Sequence, residues 1–244
     1  VSALLSAALL PAVLLVTWRS SQSLSAVIGA STAQSVLVGF GLLSLAVAVP
    51  FLWQPMPWKR LLAYSSLEHM GVIALGIGFG TPLALAGVAV HIVGHALAKA
   101  LAFYAATPLL GHEPRAAGHA VPGIGRTCAS LGSTLGISLG ALAGLPPSPL
   151  FASELLIVAG GFAAGRPWTA AAAAALLALG FLGLAHALLE TVAGKGPARE
   201  RTAPGLRAVV LLTGVAVPCL LALTVAALWL PGSGIARALA QGIR

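Results

Sequence analysis

The sequence predicts an all-α polytopic membrane helix bundle of about eight transmembrane helices. Only 7% of its 244 residues are charged and 59% are hydrophobic, whereas a soluble domain carries roughly 25% charged residues. Mean hydropathy is +1.00, so lipid rather than water must cover most of the surface. The apolar residues also fall into runs, and a spanning helix needs roughly 20 of them. A chain of this length holds about eight such runs with short links.

The runs are approximately 1–18, 33–53, 61–80, 82–110, 127–145, 149–165, 168–193 and 207–230. The first is closed by Arg19. It has no basic region ahead of it and no A-x-A site after it, so a cleavable signal peptide is not expected. The chain opens on Val1, which fits an alternative start codon or a longer parent. The second run ends at Gln54-Pro55, and the third follows Lys59-Arg60 and closes on Gly80. Thr81-Pro82 opens the fourth. The fifth and sixth are each short for a full span, the seventh follows Arg166-Pro167, and the eighth follows Arg207. Pro and Gly punctuate them in the manner of membrane bundles, where neighbouring helices re-satisfy freed backbone groups. The links Gly111–Gly125 and Gly194–Leu206 are polar and read as solvent loops, and the tail Pro231–Arg244 reads as interfacial.

The formal net charge is +8. Its arginines are spread through the links rather than gathered on one face, which points to headgroup contact and topology, with lipid as the partner and no nucleic acid. Five basic residues follow odd-numbered runs and seven follow even-numbered ones, so the positive-inside rule leaves orientation undecided. Cys128 and Cys219 form no CxxC or Cys/His cluster, so neither a disulfide framework nor an iron–sulfur ligand set is readable.

Between the fifth and sixth runs stands Leu145-Pro146-Pro147-Ser148-Pro149. Proline removes donors and blocks helix continuation. Two readings stand: a broken helix lining a polar cavity, or a tight turn between two spans.

Ionisable residues inside apolar runs carry the functional signal. They are Glu68, Glu154, Glu190, Lys99, His69, His91, His95 and His186. Each charge at the bilayer centre costs roughly 2.5–3.5 kcal/mol on insertion scales, so several together ask for a purpose. In His91-x-x-x-His95-x-x-x-Lys99, steps of four turn about 400° each. The three side chains therefore share one face and spread over about 12 Å. Such a ladder can pass protons by short hops through water, since histidine titrates near neutrality and a desolvated lysine can release its proton. The alternatives are histidines that bond neighbouring helices while Lys99 snorkels, or Zn²⁺ on two histidines, with neither HExxH nor a third ligand evident. Glu68 and His69 point about 100° apart and face different neighbours. Glu68 reads as an acid near a membrane entrance, or as a partner of Arg60. Glu154 follows the proline break, where a helix N-terminus favours a carboxylate. His186 and Glu190 form an i, i+4 pair near the interface.

LLAYSSLEHMG after a Lys-Arg pair, then HALAKALAFY, then GLPPSPLFASELL together resemble the proton-translocating antiporter-like subunits of complex I, Mrp antiporters and group 4 hydrogenases. The EHMG variant is most similar to the hydrogenase-4 component F branch. The resemblance implies a core of inverted five-helix repeats, each with a broken helix. Residues 1–60 would end the first repeat, 61–193 would form the second, and 194–244 would supply a loop, the last helix and the tail. It implies a proton relay on Lys99, His95 and His91, with Glu154 at the charged position of the second broken helix. The opening helix lacks the Lys of its counterparts, and Trp58 stands where relatives usually carry Asp.

The expected function is proton conduction across the cytoplasmic (inner) membrane, with other membrane and peripheral subunits of a respiratory or hydrogenase-type complex as partners. The proposed relay comprises Lys99, His95, His91, Glu154, Glu68 and His69. No cofactor or metal is expected in the chain itself, which shows no flavin, quinone-redox or metal motif. Two other functions remain open: an Mrp-type cation/proton antiporter subunit, and a non-conducting scaffold whose polar residues glue helices together.

Overall fold

The computed structural model describes residues 9–107, 123–194 and 206–230. Every long element in them is helical: α1 Leu10–Ile28, α2 Ala30–Leu52, α3 Trp58–Phe79, α4 Pro82–Ala106, the single turn α5 Ile124–Thr127, α6 Ala129–Leu142, α7 Pro149–Ala163, α8 Pro167–Ala193 and α9 Leu206–Trp229. Five of these, α2, α3, α4, α8 and a segment of α9, are long and apolar enough to cross a membrane, and α6 and α7 are shorter apolar helices. The chain is therefore a polytopic helical membrane protein. Most of the links 111–125 and 194–206, and the whole interfacial tail, lie outside the described residues.

The first predicted run, 1–18, lies partly outside the described residues, and only its far end needs correction. α1 continues past Arg19 to Ile28, and at 19 residues it is long enough for a span but not apolar enough. Arg19 closes the apolar run but does not break a helix, and neither do the polar residues Ser20 to Ser25. The helix stops at Gly29, whose φ of +86° suits glycine.

α3 and α4 form the centre. In α3, 78% of the best spanning window is buried, against 17% in α9. α2 lies on α3 so closely that a methyl on Gly41 or on Gly71 would sit 2.9 Å from the other's carbonyl oxygen. α7 runs antiparallel to α4, with Gly94 against Pro149 and Leu150 and Gly87 against Ser153 and Ile157. α6 packs lower on α4, where Leu131, Leu135 and Leu139 share a core with Ala98, Ala102 and Ala105.

Thus α6 and α7 lie in tandem along α4 and pack little against each other. The proline-rich junction is a helix break, not a hairpin turn between two spans. Gly144 (φ +77°) ends the first half, and the Ser148 hydroxyl caps the second by accepting from Phe151 N–H at 3.2 Å.

Candidate proton relay

The break and the α3–α4 pair bring the ionisable residues into one cluster. His91, His95 and Lys99 project from one face of α4, and all are fully buried. The rings of His91 and His95 lie parallel to within 7°, with centroids 6.5 Å apart. Because α3 runs antiparallel to α4, Leu62 and Ser65 reach Lys99 while His69 reaches the histidines.

Lys99 does not snorkel. Its Nζ donates to the Leu62 carbonyl at 2.6 Å and to Ser65 Oγ at 2.7 Å. The same carbonyl accepts from Ser66 Oγ at 2.8 Å. Among the described residues the ammonium is thus held by neutral oxygens and by no carboxylate, an arrangement that tolerates either protonation state.

Above it, His69 Nδ1 lies 3.2 Å from His91 Nε2, and His91 Nδ1 lies 2.8 Å from Ser153 Oγ. Ser153 Oγ in turn reaches the Leu150 carbonyl at 2.7 Å. Tautomers follow from this network rather than from visible hydrogens. The serine has one proton to donate. Given to Leu150, it makes His91 Nδ1–H donate to Ser153 and His69 Nδ1–H donate to His91. Given instead to His91 Nδ1, it turns every bond in the row around. The row His69–His91–Ser153 therefore has two opposite proton orders, and passing one proton along it converts one order into the other.

His95 sits between this row and Lys99, its ring 4.9 Å from that of His69. Both His95 nitrogens and His69 Nε2 are buried with no hydrogen-bond partner among the described residues. Such groups are costly, and in a native protein each calls for an explanation.

Glu154 follows Ser153 on α7, half-buried, with an oxygen 3.0 Å from where a Cβ on Gly144 would lie. It also borders a cavity of about 330 Å³ between the break and α8. Among the described residues, His69, His91 and Glu154 each offer a ligand atom within 4.8 Å of the others, a trio that takes His91 from the His91/His95 pair but leaves His95 out. Both His91 nitrogens are engaged in hydrogen bonds, however, which suits proton exchange better than metal ligation.

Glu68 is not near an entrance. It lies about 15 Å along α3 from Trp58, is 4% exposed, and faces α8 rather than Arg60. His186 and Glu190 pair at 3.5 Å on an exposed part of α8, away from the cluster.

Sequence reasoning missed Ser65 and Ser153. Their only signal is a hydroxyl in an apolar helix, and their partners lie 34 and 62 residues away. Ser153→Ala is expected to leave His91 Nδ1 unpaired and to slow proton flux about tenfold, while Ser153→Thr keeps the hydroxyl and most of the flux. Flux assays on the two variants side by side check this.

Comparison with known proteins places these helices in context. Residues 1–180 match the family model described as NADH:quinone oxidoreductase/Mrp antiporter, transmembrane. A hydrogenase-4 component F homologue of Methylacidiphilum infernorum is 34% identical over 183 residues, covering 75% of this chain and 38% of the relative. NADH-quinone oxidoreductase subunit N of Salinibacter ruber is 32% identical over 184 residues, covering 71% and 36%. The chain thus spans under two-fifths of the length of these curated relatives. A chain of the membrane-bound sulfane sulfur reductase, an archaeal respiratory membrane complex, shares the fold. Its TM-score is 0.77 at 20% identity, over 99% of this chain and 51% of that one.

Proposed function

The chain belongs to the NADH:quinone oxidoreductase/Mrp antiporter transmembrane family, and on that footing we propose that it conducts protons as a membrane subunit of a redox-driven complex. Other membrane and peripheral subunits supply the electron transfer. Residues 61–193 act as the five-helix repeat with a broken helix, residues 1–60 as the end of a preceding repeat, and 194–244 as the last helix with its flanks.

One observation carries the reading. Lys99 is fully buried, its ammonium held by Leu62 and Ser65, and a row of histidines joins its helix to α7 through Ser153. A lysine placed only to glue helices needs no such row beside it. Protons pass between Lys99 and Glu154 through His95, His69 and His91, with the reversible His69–His91–Ser153 row at the α7 end. Glu68 acts on this path from the α8 side.

The test uses the assembled complex in proteoliposomes, driven by its electron donor, with a pH-sensitive dye inside. Proton movement is expected with or without Na⁺, and Glu154→Gln should lower it by about tenfold or more. Movement that requires Na⁺ would instead assign cation/proton exchange. Flux unchanged by Glu154→Gln and Lys99→Met would leave only a scaffold.

A further inference from the structure

Glu68 has a seat. Across the bundle from it, α8 reads Leu179-Gly180-Phe181-Leu182-Gly183. A methyl placed on Gly180 would overlap the Glu68 carboxylate, with the carboxyl carbon 2.9 Å away. The side chain is buried, and no donor among the described residues reaches its oxygens. It therefore rests on α8 through van der Waals contact at Gly180, where the missing Cβ leaves room. On α3 it stands three residues beyond Ser65, which holds the Lys99 Nζ, and next to His69, which joins the histidine row.

We propose that Gly180 is a positioning residue, whose absent side chain seats the Glu68 carboxyl group against α8, one helical turn along α3 from the residue that holds Lys99. Any larger residue at 180 would push the carboxyl group off the helix and change its distance to the relay groups on α3 and α4. Gly183, three residues on, differs in kind. A methyl there would meet Trp53 at 3.1 Å and Leu52 at 3.2 Å, so its smallness serves helix packing. It gives a control for general damage to α8. The effect of the seat on flux rests on the proton-conducting reading above, but the seat itself does not.

The experiment pairs two readouts on the full assembled complex. Infrared difference spectra across a pH step identify the Glu68 carboxyl band by its loss in Glu68→Gln. Gly180→Ala is expected to shift that band and to cut proton flux about tenfold, whereas Gly183→Ala leaves the band in place. Glu68→Asp withdraws the carboxylate by one methylene. The double variant Gly180→Ala/Glu68→Asp should therefore regain about fivefold over Gly180→Ala alone, as expected of residues in direct contact. A band unmoved by Gly180→Ala, or a double variant that simply multiplies the two single losses, would overturn the proposal. If Glu68→Gln leaves flux unchanged, Glu68 drops out of the path, and the band shift still decides the seat.

Discussion

Lys99→Met, in the assembled complex, is expected to cut redox-driven proton flux by about 100-fold or more while the protein still inserts and assembles. General acid–base groups typically contribute factors of about 10²–10⁴, and an obligatory relay group belongs in that range. Methionine keeps most of the volume, so no large cavity opens in a fully buried site. The groups that lose the ammonium have other bonds to make. The Leu62 carbonyl still accepts from Ser66 Oγ, and a Ser65 hydroxyl can turn back onto its own helix. Removing a charge from the bilayer interior also relieves roughly 2.5–3.5 kcal/mol of insertion cost. Dye acidification at matched electron-transfer rates, with thermal melting of the same preparation, checks both halves. A large loss of stability with little loss of flux would assign Lys99 to the framework instead.

His95→Phe should separate function from stability even more sharply. Both ring nitrogens of His95 are buried without a partner among the described residues, and an unsatisfied buried polar group costs roughly 1–3 kcal/mol. Phenylalanine removes both and keeps a ring in place. That ring stays within the 4.5–7 Å range in which aromatic pairs attract, as the 4.9 Å approach to His69 and the 6.5 Å approach to His91 show. Melting temperature is therefore expected to hold or rise. Flux is expected to fall about 10- to 100-fold, because His95 is the ring between Lys99 and the His69–His91–Ser153 row. A histidine kept for structure would give the opposite pair of results, with lower stability and intact flux.

Local periodicity made part of this arrangement readable in advance. Spacing of four placed His91, His95 and Lys99 on one face, and adjacency in a helix sent Glu68 and His69 to different neighbours. Composition alone marked the chain as a membrane bundle, and the proline cluster marked the break, although only the tandem packing along α4 separates a broken helix from a turn. Contacts across the bundle were not readable. Ser153 and Ser65 are paired by tertiary structure over tens of residues, and Gly180 matters through what fills the space beside it. Two errors have one physical origin. A charge that closes an apolar run need not close a helix, as at Arg19, and an acid one would place near a membrane entrance can lie deep, as Glu68 does. Helices end where backbone geometry changes, as at Gly29, and a basic pair in the first turn leaves a residue about 15 Å further along free to lie deep in the bundle.

The central claim is that these buried groups act in series as one path. Proton flux in the double variant Lys99→Met/His95→Phe, measured against both single variants in the assembled complex, tests it most directly. Groups that work as a unit are strongly non-additive, so the double variant should be no slower than the worse single variant. A double variant whose loss is the product of the two single losses would contradict a single path, as would wild-type flux in either single variant.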